Sequence, residues 1–346
     1  MINETQNMSK IIMDTHMHSK ASDGMWRPSE VVEQAKLRGL ETIALTDHDC
    51  IFGVEEAVAK GKELGIKVIP GIEIDASYHS GEYAVKDLEL LGLGIETSAM
   101  KEFTEKLSER RMGAIKNYVK KFNEYISSQD FEGKNMNMRY PLKNLRAVTA
   151  QELIDKKSKA NNYINPTPFL AKHDFINYVL ENFCASNENE KKALVEDRAC
   201  GDAFWEDYRF LFTREGRKPS FYEAIDAVKK AGGTAVIAHP GRSKGYKNGM
   251  IKEWEMPEEQ WFSENTDKLT PFKFIKDLKE HGLDGVEIYF YSGSDKPHAS
   301  QESLINNFFR KMAGKLGLIT TYGSDCHGPT GDGPRMGKFG SDKLYL

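Results

Sequence analysis

Cysteine is scarce and scattered in this chain. Cys50, Cys184, Cys200 and Cys326 are the only four in 346 residues, and no two form a C-x-x-C pair. That argues against a zinc ribbon or a disulfide framework and fits a reducing cytoplasm. No apolar run approaches the roughly 20 residues needed to cross a bilayer. The opening segment Met1–Lys10 is polar and lacks the apolar stretch of a signal peptide. A cytoplasmic protein with no membrane partner is therefore expected. Neither sign of charge dominates: 48 Lys+Arg stand against 52 Asp+Glu, a net charge of -4. This excludes a generally basic nucleic-acid binder, so no stable nucleic-acid complex is expected. An enzyme that meets nucleotides at one local site stays open. Internal repeats and low-complexity tracts are also missing. What is present is 39% hydrophobic and 29% charged residues, enough to bury a core. The length suits one large α/β domain or two ordinary ones.

Short β-type runs alternate with amphipathic runs over the first hundred residues. Lys10–Asp14, Thr42–Thr46, Lys67–Pro70 and Leu88–Leu93 read as strands. Ser29–Arg38, entered through Pro28 and left through Gly39, and Val54–Leu64, closed by Gly65, read as helices. The alternation resumes with helix Ser220–Ala231, strand Thr234–Ala238, helix Phe272–Glu280, strand Gly285–Tyr289, helix Ser300–Lys315 and strand Leu318–Tyr322. Apolar strands alternating with helices predict a parallel sheet, doubly wound or closed into a barrel. Between them Phe103, Leu107, Ile115, Tyr118, Val119, Phe122 and Ile126 recur at helical spacing. Residues 99–218 hold 22 basic and 18 acidic residues, which leaves the remainder at -8. They read as a helical insertion or lid between barrel strands. The barrel is then residues 1–98 and 219–346.

Histidines and carboxylates stand where the strands stop. His16 and His18 form an H-x-H pair, which puts both imidazoles on one side of an extended chain. Asp23 follows on a Ser-Asp-Gly turn. His48 follows the second strand, Glu73 the third, His239 the strand Thr234–Ala238, and Asp325 and His327 the last. In a parallel barrel these residues gather on the C-terminal rim, where such barrels hold their active sites. A mixture of imidazoles and carboxylates without thiolate suits Mn, Fe or Zn rather than a structural zinc site. Asp47 and Asp49 read as turn and helix caps, and Asp14 as an acceptor that orients His16 or His18. His281 and His298 read as surface residues, and His79 is left open.

The motifs D-x-H-x-H-S, S-D-G, T-D-H-D, G-I-E, A-H-P-G and G-S-D-x-H-G occur here in the order of the polymerase-and-histidinol-phosphatase (PHP) family. The chain resembles that family's stand-alone nucleotide phosphoesterase branch over roughly residues 10–98 and 219–330. The resemblance implies an α/β fold, a distorted (β/α)7 TIM-like barrel with a helical insertion, and two or three divalent metal ions. It implies one metal on His16, His18, Glu73 and Asp325, and a second on Asp23, His48 and His327. Glu73 would bridge to a third position completed by His239. The chain departs from the family at three places. Thr167 and Phe169 stand where the branch carries an Arg and a His inside the insertion, with His173 one helical turn further on. Glu89 stands where the family places a His.

A metal rim of this kind hydrolyses phosphoesters through a metal-activated hydroxide. His239 and Asp325 are the expected catalytic residues, with His239 or a metal-bound water as the source of the leaving-group proton. Arg242 and His173 are the expected substrate contacts, a guanidinium being suited to bidentate grip on phosphate. The substrate implied is a small phosphomonoester, a nucleotide such as a 3',5'-bisphosphate or the end of a short oligonucleotide. The alternatives are a phosphatase of a metabolite such as histidinol phosphate, and a degenerate non-catalytic metal- or phosphate-binding protein.

Overall fold

The structure, a computed structural model, describes residues 11–80, 83–85, 88–161, 169–212, 218–242, 252–264, 266–289, 299–329, 335–337 and 340–341. Thr167 and His298 lie outside the described residues. The chain forms two compact units, one of residues 1–104 with 218–346 and one of residues 105–217.

The first unit contains strands β1 (Met13–Asp14), β2 (Thr42–Leu45), β3 (Lys67–Asp75), β4 (Tyr78–Ser80), β5 (Tyr83–Val85), β6 (Glu89–Leu93), β7 (Thr234–Ile237), β8 (Gly285–Tyr289) and β9 (Ile319–Gly323). Seven of them make a nearly closed, barrel-shaped sheet in the order β1-β2-β3-β6-β7-β8-β9, and β4 pairs with β5 alone. The sheet's two edges approach each other past the strand ends. The Thr15 N–H donates to the Tyr322 carbonyl at 3.1 Å, and Met17 bridges Cys326 in the parallel sense.

Helices cover the outside because the strands alternate. Ile43 and Leu45 pack with Val31, Val32, Ala35 and Ala57 of helices Pro28–Leu37 and Val54–Leu64. Ala44 points the other way and joins Met13, Ile69, Leu91, Leu93, Val236 and Ala238 in an inner cluster. Local chemistry sets the helix ends. Pro28 opens the first helix while Glu30 accepts the Arg27 N–H at 2.7 Å, and Gly65 closes the second at φ +67°.

One strand runs against expectation. β6 is antiparallel to both β3 and β7, whereas the other pairings in this sheet are parallel. A parallel return needs a crossover of a dozen or more residues, usually a helix. Here the link after β3 goes into the β4–β5 hairpin instead. β6 therefore begins at the rim where its neighbours end, with its first residue, Glu89, opposite Asp75.

The second unit is helical. Ile115, Val119 and Phe122 lie on the buried face of the helix Thr97–Ile126 and pack with Phe175, Phe183, Phe204 and Tyr208. Phe169 is buried there beneath the Arg111 guanidinium, 4.2 Å from the ring centre. No described helix is long and apolar enough to cross a membrane.

Candidate metal centre

The site is assembled by the loops that leave β1, β2, β7 and β9, by Glu73 near the end of β3 and by Glu89 at the start of β6. His16 and His18 alternate with Met17 on the extension of β1, and both are fully buried. Asp47 secures the following turn: its carboxylate accepts the Ser19 N–H at 2.7 Å and the hydroxyls of Ser19 and Ser22 at 2.7 and 2.6 Å. That turn presents Asp23. Asp14 accepts the backbone N–H groups of Ser324 and His16 at 3.0 and 3.3 Å. Asp14 thus ties the exits of β1 and β9 together, and burial pushes it up to about 7.

Three groups of ligand-type atoms adjoin one another, those of each group lying within 4.8 Å. The first is His16, His18, Glu73 and Asp325; the second is His18, Asp23, His48 and His327; the third is Glu73, Glu89 and His239. Glu73 sits at the junction. Its Oε2 lies 3.1 Å from Nε2 of His16 and of His18 and 3.2 Å from Nδ1 of His48, while its Oε1 lies 3.0 Å from Nε2 of His239. Asp325 Oδ1 lies 3.0 Å from His18 Nε2, and Asp23 Oδ1 lies 3.3 Å from His327 Nε2.

Sequence reasoning missed Glu287, a fully buried carboxylate in the middle of β8. Its Oε1 accepts from His16 Nδ1 at 2.9 Å and its Oε2 from the His239 backbone N–H at 2.7 Å. The first contact fixes the His16 tautomer and turns its Nε2 lone pair into the cluster. The role expected of Asp14 belongs to Glu287. A signal was available, since a charged residue inside the otherwise apolar GVEIY strand needs a buried partner. Gly323 on β9 makes room for it, because a Cβ there would overlap both the Glu287 carboxylate and His16 Cβ. Two more supports were missed. Tyr289 donates its hydroxyl to Asp325 Oδ2 at 3.1 Å, and Arg335 donates to the Tyr289 oxygen at 3.0 Å.

Backbone strain is concentrated here. His239 and Asp325 have φ of 30° and 52°, a region costly to residues with a Cβ, on the order of 1–3 kcal/mol each. Such positions persist where the surroundings over-determine them, as the Glu287–His239 and Arg242–Asp325 contacts do.

The electrostatics call for cations. Burial opposes charge on His18, yet the adjoining carboxylates of Asp325 and Glu73 prevail and push it up to about 10. His16 is raised well above the ordinary range despite its burial, by Glu287 and Glu73. Glu73, Asp325 and Asp23 are held well below the carboxylate range against their burial, chiefly by the surrounding histidines. Without metal, protons on imidazole must offset this buried negative charge. Glu73 Oε2, although fully buried, has no hydrogen-bond partner. An orphaned carboxylate oxygen facing three imidazole nitrogens, in a donor set without thiolate, fits divalent ions.

The structure places the other expected residues as follows. The Arg242 Nη2 atom pairs with Asp325 Oδ2 at 2.7 Å and lies 3.3 Å from the Tyr289 hydroxyl. His173 lies in the second unit, half-exposed and 3.6 Å from Asp174, outside the three groups. His79 is exposed on β4, and His281 is an exposed residue whose Nδ1 contacts the Asp277 carbonyl oxygen. Asp49 accepts the Asp75 N–H at 2.9 Å and caps rather than coordinates. Glu89, absent from the expected ligand set, joins the third group.

Comparison with known proteins agrees with this geometry. The PHP domain model matches residues 14–167. The chain is 26% identical over 336 residues to a phosphoribosyl 1,2-cyclic phosphate 1,2-diphosphodiesterase from Eggerthella lenta, covering 94% of this chain and 98% of that protein. It is 27% identical to a 5'-3' exoribonuclease from Haemophilus influenzae, covering 92% and 90%. It is 26% identical to a 3',5'-nucleoside bisphosphate phosphatase from Chromobacterium violaceum, covering 93% and 89%. A crystal structure assigned as a metal-dependent phosphoesterase from Bifidobacterium adolescentis shares the fold, with a TM-score of 0.57 at 21% identity over 91% of this chain and 87% of that one. A barrel with one reversed strand, a rim of imidazoles and carboxylates that could hold divalent metal, a PHP domain match over residues 14–167 and near-full-length relatives named as hydrolases of phosphoric esters make this chain similar to PHP-domain phosphoesterases.

Proposed function

We propose that the chain hydrolyses a phosphomonoester of a nucleotide, such as a 3',5'-bisphosphate or the end of a short oligonucleotide. The observation that carries this reading is the row of three ligand groups joined through His18 and Glu73. His16, His18, Glu73 and Asp325 hold one divalent ion in this reading. Asp23, His48 and His327 hold a second, with His18 beside it, and Glu73 and His239 face a third position. Mn, Fe or Zn suits the set. Ions so held supply an acidified water at neutral pH and neutralise charge on phosphoryl oxygens.

The chain's own residues do the rest. Asp325 is held in place by Arg242 and Tyr289. Arg242 spends Nη2 there and keeps further N–H donors for a phosphoryl oxygen. Burial, and next the Arg242 charge, lower His239 below its ordinary range, which favours the neutral imidazole a cation ligand must be, so the leaving oxygen would take its proton from water. The names of the relatives support a nucleotide-type ester. One of them names a cyclic phosphodiester, which makes diester cleavage the second reading.

The test is a phosphate-release panel with added Mn2+, alongside metal counting by elemental analysis. The panel holds 3',5'-bisphosphates, 5'-phosphorylated oligonucleotides, a ribose 1,2-cyclic phosphate and histidinol phosphate. Turnover of the first two classes supports the proposal, and exclusive turnover of histidinol phosphate supports the metabolite alternative. Tight metal binding with no turnover of any ester overturns the enzymatic reading.

A further inference from the structure

We propose that Glu89 is a ligand in a cation position shared with Glu73 and His239, and that this position favours a hard ion such as Mn2+ over Zn2+ more than the other two positions do. The inference rests on the metal reading given above and extends it to one residue and one class of ion.

Reversal of β6 is what brings Glu89 to the rim. His239 Nε2 lies 3.0 Å from Glu73 Oε1 and 3.4 Å from Glu89 Oε2. One imidazole nitrogen thus faces two carboxylate oxygens, and a single proton on it satisfies only one. Glu89 Oε2 is buried and has no hydrogen-bond partner, while Glu73 turns its Oε1 to this position and its Oε2 to the other two groups. Two carboxylates brought together out of water repel unless a positive charge lies between them. The described cations around Glu89 are engaged elsewhere, Lys218 with Asp75 and Arg242 with Asp325.

Donor chemistry then grades across the centre. The group around Asp23 offers three imidazoles and one carboxylate, the group around Asp325 two and two, and the Glu89 group one and two. Imidazole favours zinc and iron, whereas carboxylate oxygen favours manganese and magnesium. The third position is the richest in oxygen and the poorest in nitrogen, so of the three it should favour zinc least and exchange its ion most readily.

The test uses the full chain stripped of metal and reloaded with two equivalents of Zn2+. Mn2+ is then titrated, with bound ion read by electron paramagnetic resonance and calorimetry. Wild type is expected to take one further equivalent as Mn2+. Glu89→Gln is expected to weaken that equivalent by at least about tenfold while keeping both zinc ions. Glu89→His is expected to retain a third equivalent but shift it towards zinc, which separates ligand chemistry from a folding defect. Unchanged Mn2+ affinity in Glu89→Gln, or a third site in wild type whose Mn2+-to-Zn2+ affinity ratio is no higher than that of the other two, overturns the proposal and leaves the other two positions standing. Failure of wild type to hold any metal overturns the proposal together with the reading beneath it.

Discussion

Replacing Glu287 by Gln changes the site by one charge and almost no volume. The wild-type carboxylate accepts from His16 Nδ1 at 2.9 Å and from the His239 backbone N–H at 2.7 Å. A Gln side chain has one carbonyl oxygen and one amide nitrogen, so it can accept only one of these bonds. The other becomes a donor facing a donor. If His16 loses its acceptor, its ring can take the tautomer that protonates Nε2, which closes that lone pair to metal. If His239 loses it, the backbone at φ 30° loses a restraint. A hydrogen bond to a charged group is worth about 1.5–3 kcal/mol. Loss of an outer-sphere partner of a metal-bound histidine typically weakens metal binding about 10- to 100-fold. Each tenfold step is about 1.4 kcal/mol, so the two figures agree. The assay is a competitive titration of Zn2+ or Mn2+ against a chromogenic chelator, with circular dichroism to establish that the fold is intact. A folded Glu287→Gln protein whose affinity stays within twofold of wild type would refute the argument that Glu287 sets the His16 tautomer.

Gly323→Ala should reach the same end by a steric route, since the added methyl overlaps the Glu287 carboxylate and His16 Cβ; its metal affinity, by the same titration, should fall at least as far. Metal uptake near neutral pH should release protons, because Asp325 and Glu73 hold His18 protonated up to about 10 in the metal-free protein; calorimetry in buffers of different ionisation enthalpy measures the number. The metal-free protein should lose thermal stability as pH rises from about 6.5 towards 10, because a raised folded-state pKa stabilises fully only below the unfolded value. It should also lose stability as pH falls below the carboxylate range, where Glu73, Asp325 and Asp23, all depressed when folded, take up protons. Melting curves across pH check both limbs, and bound metal should flatten the upper one. His173→Ala should leave metal content unchanged by elemental analysis, since His173 is half-exposed and outside the three groups.

The ligand groups were legible because strand ends are legible. Each of His16, His48, Glu73, His239 and Asp325 follows a short apolar run bounded by helix signals, and a barrel brings such ends together whatever their order in the chain. Strand direction was less legible. The run Leu88–Leu93 looks the same read either way, and only the hairpin Tyr78–Val85, which occupies the place of a crossover helix, decides that it runs backwards. That one reversal kept Glu89 out of the expected ligand set, although its place at a family His position was visible, because it stands at the start of its strand and not at the end. Glu287 and Tyr289 escaped for a different reason. They lie inside β8, and their partners His16, His239 and Asp325 are far along the chain, so no local spacing marks them. Asp14 and Asp47 were legible as polar supports in kind but not in partner, because both bind backbone or hydroxyl donors chosen by tertiary packing.

The central claim is that the buried groups around Glu73 hold the metals that hydrolyse a phosphoester. Phosphate release from a nucleoside 3',5'-bisphosphate, measured for metal-loaded wild type and for a folded His18→Ala, Asp325→Ala double variant, tests it most directly. His18 belongs to two of the three groups and Asp325 carries its partner oxygen 3.0 Å away. The account predicts turnover by wild type and loss of both activity and bound metal in the variant. Turnover by the variant at the wild-type rate would contradict it.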